Sequence, residues 1–224
     1  MELTGSFVAS TLSFDLNKFL VSSADYNLSG KGQGDLTENG MMNVKIDGKY
    51  PDLKKLTQDN FESASLSLRM SEGYRRPKVN MTVVIDPSRL KEKGLSPINV
   101  NAVLNNMVDQ LNGNILIDTQ YQKEPISLDA KVSYKENILT LESLTGTAPQ
   151  ITIDGAGVLS TQNNIFNGKL SVSATDLSYY KDLLSLDIAG NVKTNIILGS
   201  QNTKQSADIK TSIRQLKFDA LVLE

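Results

Sequence analysis

The stretch 25–36, DYNLSGKGQGDL, decides the fold. Its even positions are Tyr26, Leu28, Gly30, Gly32, Gly34 and Leu36, and its odd positions are Asp25, Asn27, Ser29, Lys31, Gln33 and Asp35. One side is apolar or bare and the other wholly polar, which is the period of a strand with one wet face. The rival reading, a phosphate-cradling loop, fails on its own terms. No Gly-Lys-Ser/Thr follows, the spacing is G-x-G-x-G rather than G-x-G-x-x-G, and the next segment is a turn and a strand, not a helix. Residues 37–40, TENG, read as a hairpin turn. Glycines 30, 32 and 34 then lie on the apolar side of a strand, where missing side chains let a sheet bend or another surface approach.

The same alternation runs through the chain. Met42, Val44 and Ile46 share one face, then Leu66, Leu68 and Met70, then Val79, Met81, Val83 and Ile85. Ile115 and Ile117 follow, then Ile126, Leu128, Ala130 and Val132, then Leu170 and Val172, Leu186 and Ile188, Ile196 and Leu198, and Ile209. A dozen or more short strands predict an all-β antiparallel fold. A long curved sheet and a compact sandwich give the same pattern, so both stay open on periodicity. One segment departs from it. In 97–112, Val100, Val103, Leu104, Met107, Val108 and Leu111 fall at helical spacing, predicting an amphipathic helix with Pro97 in its first turn and Gly113 ending it. Short helical turns are expected in 51–63 and 176–184.

Composition narrows the function. The 224 residues are 39% hydrophobic with a net charge of −2, acids and bases interspersed, which argues against a nucleic-acid binder. Without cysteine or histidine there is no thiolate metal site, no Cys-His pair and no Ser-His-Asp triad. No G-x-S-x-G elbow occurs, and no S-x-x-K motif of a serine–lysine hydrolase is read either. The reading is of a protein without catalytic residues, metal or cofactor. No apolar run approaches the ~20 residues of a membrane span, and the N-terminus does not read as a signal peptide. The chain is therefore read either as cytosolic or as a segment of a longer exported or membrane-anchored protein. The cluster Gly73–Lys78 (GYRRPK) reads as a solvated hairpin loop.

The chain also repeats itself. Gly32-x-Gly34-x-Leu36 aligns with Gly155-x-Gly157-x-Leu159, and in each copy a strand and an Asp-Leu pair follow, Asp52-Leu53 and Asp176-Leu177. The copies span about 12–60 and 137–184, and related strand pairs occupy 111–134 and 186–213. The whole, 1–224, reads as one elongated repeat domain.

On the strand 26–36 with its counterpart 151–159, on LSVSATDL and the turn after it (170–184), and on LDIAGNVKTNIILGS with the next strand (186–213), the sequence resembles the AsmA-like family, TamB branch. The resemblance covers most of the chain. It implies a β-taco, a bent sheet or open groove with an apolar interior. It implies a periplasmic segment of an inner-membrane-anchored bridge, the anchor lying outside this chain, that carries phospholipid acyl chains between inner and outer membrane. Envelope proteins of either membrane are the implied further partners. On this reading the groove is lined by Leu28, Val44, Ile46, Leu66, Leu68, Val83, Ile85, Ile115, Ile117, Ile126, Leu128, Val132, Ile151, Ile153, Leu170, Val172, Leu186, Ile188, Ile196, Leu198 and Ile209, and Gly30, Gly32, Gly34, Gly155 and Gly157 bend the sheet. The alternative is an envelope or surface β-sandwich or solenoid with a dry core and a protein partner, including a role in outer-membrane protein assembly.

Overall fold

The computed structural model describes residues 2–73, 75–106, 110–201, 204–218 and 221–223. Antiparallel strands dominate, and the chain divides into two compact units, 1–92 with 96–117 and 93–95 with 118–224. The boundary falls inside the strand Leu111–Tyr121.

The first unit contains β1 (Glu2–Ala9), β2 (Ser13–Ser22), β3 (Asn27–Asp35), β4 (Met42–Tyr50), α1 (Lys54–Thr57), β5 (Phe61–Ser71), β6 (Lys78–Pro87), α2 (Arg89–Glu92) and β7 (Ile98–Asn105). It also holds most of β8 (Leu111–Tyr121). Each of β1 to β7 pairs antiparallel with its chain neighbour. The second unit contains β9 (Glu124–Lys135), β10 (Ile138–Ala148), β11 (Ile151–Ser160), β12 (Ile165–Ala174), a 3₁₀ turn (Leu177–Tyr180), α3 (Lys181–Leu184), β13 (Ile188–Gln201), β14 (Lys204–Phe218) and β15 (Leu221–Leu223). Here too β9 to β15 pair in chain order. Each unit is thus an open antiparallel meander. Among the described residues each unit holds a single sheet.

Tight turns make the meander possible. Gln122 and Lys123 (φ 53° and 70°) join β8 to β9, and Glu136 and Asn137 (φ 49° and 66°) join β9 to β10. Two consecutive left-handed residues match the twist of the strands they connect. The turn at 37–40 closes with the Gly40 amide donating to the Thr37 carbonyl at 2.9 Å, and the Asp35 carboxylate takes the Thr37 amide at 2.9 Å. Arg75 and Arg76 lie in the β5–β6 connection, where exposed Arg75 pairs with Glu38 at 3.1 Å, and Lys78 opens β6 opposite Ser71.

The expected helix over 97–112 is not formed. Residues 98–105 are strand β7, and 107–109 lie outside the described residues. Ile98, Val100, Ala102 and Leu104 stand opposite Ile85, Val83, Met81 and Val79 of β6. The segment satisfies period two as well as 3.6, and its alternate Asn residues are poor helix formers. Only the apolar side of β6 gives one of the two patterns a partner. The helical turns expected in 51–63 and 176–184 are present as α1 and as the 3₁₀ turn with α3.

The two repeat copies share one local design. In β2 an extra residue between Leu16 and Phe19 sits opposite Gly32 and Gly30, and in β10 an extra residue between Leu141 and Leu144 sits opposite Gly157 and Gly155. A bulge facing a side-chain-free strand bends and twists the pair locally. After the third strand of each copy an aspartate caps a helical turn. Asp52 accepts the Lys54 amide at 3.1 Å, and Asp176 accepts the Ser178 amide at 2.9 Å. Both turns end on a left-handed residue, Gln58 (φ 52°) and Ser185 (φ 56°).

The second unit has a tyrosine core. Tyr121 is fully buried. It stacks on Tyr180 at 5.7 Å and meets Tyr179 edge-on at 5.5 Å. The Tyr180 hydroxyl donates to the Pro149 carbonyl at 2.5 Å, and the Gln122 amide donates to the Tyr121 hydroxyl at 3.1 Å. Burial raises the pKa of Tyr180. Lys93 reaches α3, donating to the Leu183 carbonyl at 3.1 Å. These contacts pin the 3₁₀ turn and α3 against the end of β8.

Candidate apolar binding face

Antiparallel partners point their side chains to the same side of a sheet, so the registers assign the faces. In the first unit Leu28, Gly48, Leu66, Val83 and Val100 form one row across β3 to β7. Gly30, Ile46, Leu68, Met81 and Ala102 form the next, and Gly32, Val44, Met70, Val79 and Leu104 the one after. Tyr50, Ala64, Ile85 and Ile98 extend the same side. Each row crosses four strand gaps, roughly 19 Å. The opposite side carries Ser29, Asp47, Ser67, Thr82 and Asn101, and Lys31, Lys45, Arg69 and Asn80.

In the second unit Ala130, Leu144, Gly155, Leu170, Ile196 and Ile209 form one row across β9 to β14. Val132, Leu141, Gly157, Gly168, Leu198 and Ala207 form the next. Leu128, Gly146, Ile153 and Val172 run into Thr194 and Thr211, whose hydroxyls lie 3.2 Å apart. Ile151 continues this side opposite Ala174.

Most of the residues read as groove-lining therefore gather on one side of each unit. Ile126 shares the side of Leu128 on β9, and Ile188 opens β13 opposite Phe218. Ile115 and Ile117 share one side of β8. Leu186 does not join a strand face. It precedes β13, and its amide donates to the carbonyl of Lys181, the first residue of α3, at 3.1 Å. Ile98, Val100, Ala102 and Leu104 of β7 belong to the face and escaped the sequence reading, because the helical reading claimed their segment, while Val103 lies on the polar side opposite Asn80. Phe14, Leu16, Phe19 and Val21 of β2 also escaped it. They face Gly34, Gly32, Gly30 and Leu28, although the bulge breaks their simple alternation.

Burial distinguishes a covered face from an open one. The residues read as groove-lining are all half-buried, apart from Ile209 at 60% exposed. Val79 and Ala102 are the buried side chains of the first unit's apolar rows. A sheet whose apolar face is part-wet lacks the layer that ordinarily covers it.

The glycines have a specific use on this face. A Cβ on Gly30 would lie 2.3 Å from the ring of Phe19, and one on Gly34 2.3 Å from the ring of Phe14. On Gly157 it would lie 2.4 Å from the ring of Phe166. Aromatic rings occupy the space that a side chain at these glycines would take, an arrangement that restores packing at strand glycines. Gly32 and Gly155 have aliphatic neighbours instead, Val44 at 2.9 Å and Leu170 at 3.2 Å.

The polar side is satisfied internally. Lys45 pairs with Asp47 at 2.7 Å, and the Ser67 hydroxyl donates to Asp47 at 3.0 Å. Lys45 is the main cause that holds the Asp47 carboxyl below its ordinary value. Open hollows of about 470 Å³ and 520 Å³ are lined mostly from the polar rows, one around Asp47, Ser65 and Thr82, the other around Asp154, Lys169 and Asn195. The S-x-x-K spacing of a serine–lysine nucleophile, which the sequence reading counts as absent, occurs at Ser88-Arg89-Leu90-Lys91 and at Ser178-Tyr179-Tyr180-Lys181, of which the second lies beside the tyrosine core. Its serine is held elsewhere, since Ser178 bonds Asp176 through both hydroxyl and amide and lowers that carboxyl's pKa. Among the described residues no cluster of three or more acids could hold a metal ion, and no helix is long and apolar enough to cross a membrane. No family model, curated protein or solved structure matches the chain.

Proposed function

We propose that the apolar side of each unit binds phospholipid acyl chains, and that the protein is a non-enzymatic lipid-binding and transfer segment of the AsmA-like, TamB-branch type. Its place on this reading is the periplasm, within an inner-membrane-anchored bridge that passes lipid between the two membranes. One observation carries the reading. Aliphatic rows run across successive strands on one side, and their side chains are only half-buried. Each acyl CH₂ withdrawn from water against such a row gains ~0.8 kcal/mol. The contact is non-directional, so it holds a tail without fixing a headgroup, and a tail can shift from row to row. Transfer of this kind needs no acid, base or nucleophile on the face. Native mass spectrometry of the purified chain tests it, with bound phospholipid and uptake of a fluorescent fatty acid as the expected result. A photo-crosslinker at Leu128 or Val172 is expected to capture lipid, and one at Asp129 or Ser171 is not. A clean apo mass with no uptake refutes the proposal, as does capture confined to Asp129 and Ser171. A protein crosslinked at Leu128 in place of lipid favours the dry-core binding module.

A further inference from the structure

The polar side of the first unit carries a charge pattern that its fold does not require. Lys31 stands directly opposite Lys45, and Lys45 directly opposite Arg69. The bulge in β2 adds a fourth cation. Asn17 and Lys18 are the two residues that face Lys31, and Lys18 also pairs with Ser6 of β1, on the side away from Phe7 and Leu16. Lys18, Lys31, Lys45 and Arg69 thus form one line across β2 to β5, three strand gaps or roughly 14 Å long. Among the described residues only Lys45 of the four makes an ion pair, with Asp47. Asp47 and Asp15 are the carboxylates in the rows on either side, so four cations face two acids. Like charges directly opposite destabilise a ladder. The second unit builds the same bulge without them. There Glu142 and Ser143 lie opposite Ala156, which faces Lys169, which faces Ile197, and Lys169 is the one cation of that row on β10 to β13. A local conflict that the backbone does not demand marks a site with a use.

We propose that this line binds an anion carrying two or more linked phosphoryl groups. A hollow of about 360 Å³ opens beside it, lined by Lys31 and Lys45 together with Asn17, Gln33, Asn43 and Asp15. The lysines supply charge, and the three amides supply neutral donors for phosphoryl oxygens. Arg69 extends the line past the hollow with a planar fork suited to a further phosphoryl group. Opposed side chains start about 5 Å apart, so a single phosphate reaches two of the cations and a linked series reaches three or four. Affinity therefore rises with the number of linked groups. A bound anion also replaces the repulsion along the line with attraction. The same chemistry occurs in the headgroup of a multiply phosphorylated lipid and in a soluble polyphosphate. The line lies on the opposite side of the sheet from the aliphatic rows, so it stands or falls independently of acyl-chain binding.

Isothermal titration calorimetry of the full chain with tripolyphosphate tests the site. Binding is expected to be about ten-fold or more tighter than that of inorganic phosphate, and to weaken as salt rises. Lys31→Gln and Arg69→Gln are each expected to weaken it about ten-fold. Lys169→Gln, in the matching row of the second unit, is expected to leave it unchanged. Lys31 and Arg69 are exposed, so the fold tolerates these changes, and circular dichroism checks it. Urea unfolding gives a second readout. Without ligand, Lys31→Gln is expected to raise the midpoint, because it removes the oppositions to Lys18 and Lys45. Tripolyphosphate is expected to raise the midpoint of the parent well above its effect on Lys31→Gln. Phosphatidylcholine vesicles containing cardiolipin distinguish the two sources. Displacement of tripolyphosphate by them assigns the site to a lipid headgroup, and its retention assigns the site to a soluble phosphate. Absence of tripolyphosphate binding overturns the proposal, as does an equal affinity for inorganic phosphate. An affinity indifferent to both Lys31→Gln and Arg69→Gln overturns it as well.

Discussion

Gly30→Ala tests the slot between β2 and β3. The new Cβ would fall 2.3 Å and 2.8 Å from ring carbons of Phe19 and 2.9 Å from the Lys45 carbonyl oxygen. Carbon pairs pack best at about 3.5–4.0 Å, so the ring has to leave its place over the backbone. The ring can tilt, but the Lys45 carbonyl belongs to the β4 backbone and gives little. Overpacking of this kind costs ~1–3 kcal/mol. Loss of glycine's freedom in the unfolded chain returns ~0.4–1 kcal/mol. The net expectation is a destabilisation of about 1–2 kcal/mol, read in urea as a lower midpoint at unchanged slope. Gly73→Ala is the control. Its nearest neighbour, the Gly40 carbonyl oxygen, is 3.6 Å away, so that change is expected to be neutral or slightly stabilising. Phe19→Ala empties the slot. In the double variant the alanine at position 30 loses its main opponent, and the two effects sum to less than their parts by 0.5 kcal/mol or more. Equal midpoints for Gly30→Ala and Gly73→Ala refute the slot, and so does strict additivity with Phe19→Ala.

Tyr121→Ala removes a fully buried ring and two aromatic contacts, and is expected to destabilise the second unit by about 3–5 kcal/mol. Tyr121→Phe loses only the Gln122 hydrogen bond and is expected to cost ~1 kcal/mol. Hydrogen exchange along β9 to β12 reads both variants, and equal protection in the two contradicts the tyrosine core. Asp35, Asp47 and Asp176 have carboxyls held below their ordinary values by Thr37, Lys45 and Ser178 respectively. Their stabilisation is complete above the unfolded carboxyl pKa, near 3.9, and is lost as pH falls through the folded values. Acid titration of Asp176→Asn is expected to show a smaller loss of stability below about pH 4 than the parent, and an identical profile contradicts the cap. Leu68→Asp puts a charge in the middle of an aliphatic row and is expected to lower fatty-acid uptake, whereas Asn80→Asp, on the opposite side and facing Arg69, leaves it unchanged. Equal loss from both excludes one-sided binding.

The sequence carries much of this fold because strand alternation is local. A residue's side of a strand follows from its parity, so Leu66, Leu68, Val83 and Ile85 could be assigned to one face without their partners. The turn at 37–40 and the exposed Arg75 and Arg76 of the β5–β6 loop were legible for the same reason. The β7 segment was not. Ile98 to Leu104 fit two periods equally well, and hydrogen bonds to β6 made the choice from across the sheet. Leu186 shares the parity of its strand neighbours, but the carbonyl of Lys181 in α3 takes its amide and holds it off the ladder.

The glycines of DYNLSGKGQGDL mark the division. Their alternation placed them on the apolar side of a strand and ruled out a phosphate loop. Which groups fill the space they leave required the tertiary structure. An extra residue in β2 lets Phe19 stand opposite Gly30 while Phe14 stands opposite Gly34, a registration that no spacing within 25–36 encodes. The openness of the apolar side also belongs to the tertiary structure alone. A strand shows the same alternation whether its apolar side meets a second sheet or water, and only the packing around it tells the two apart.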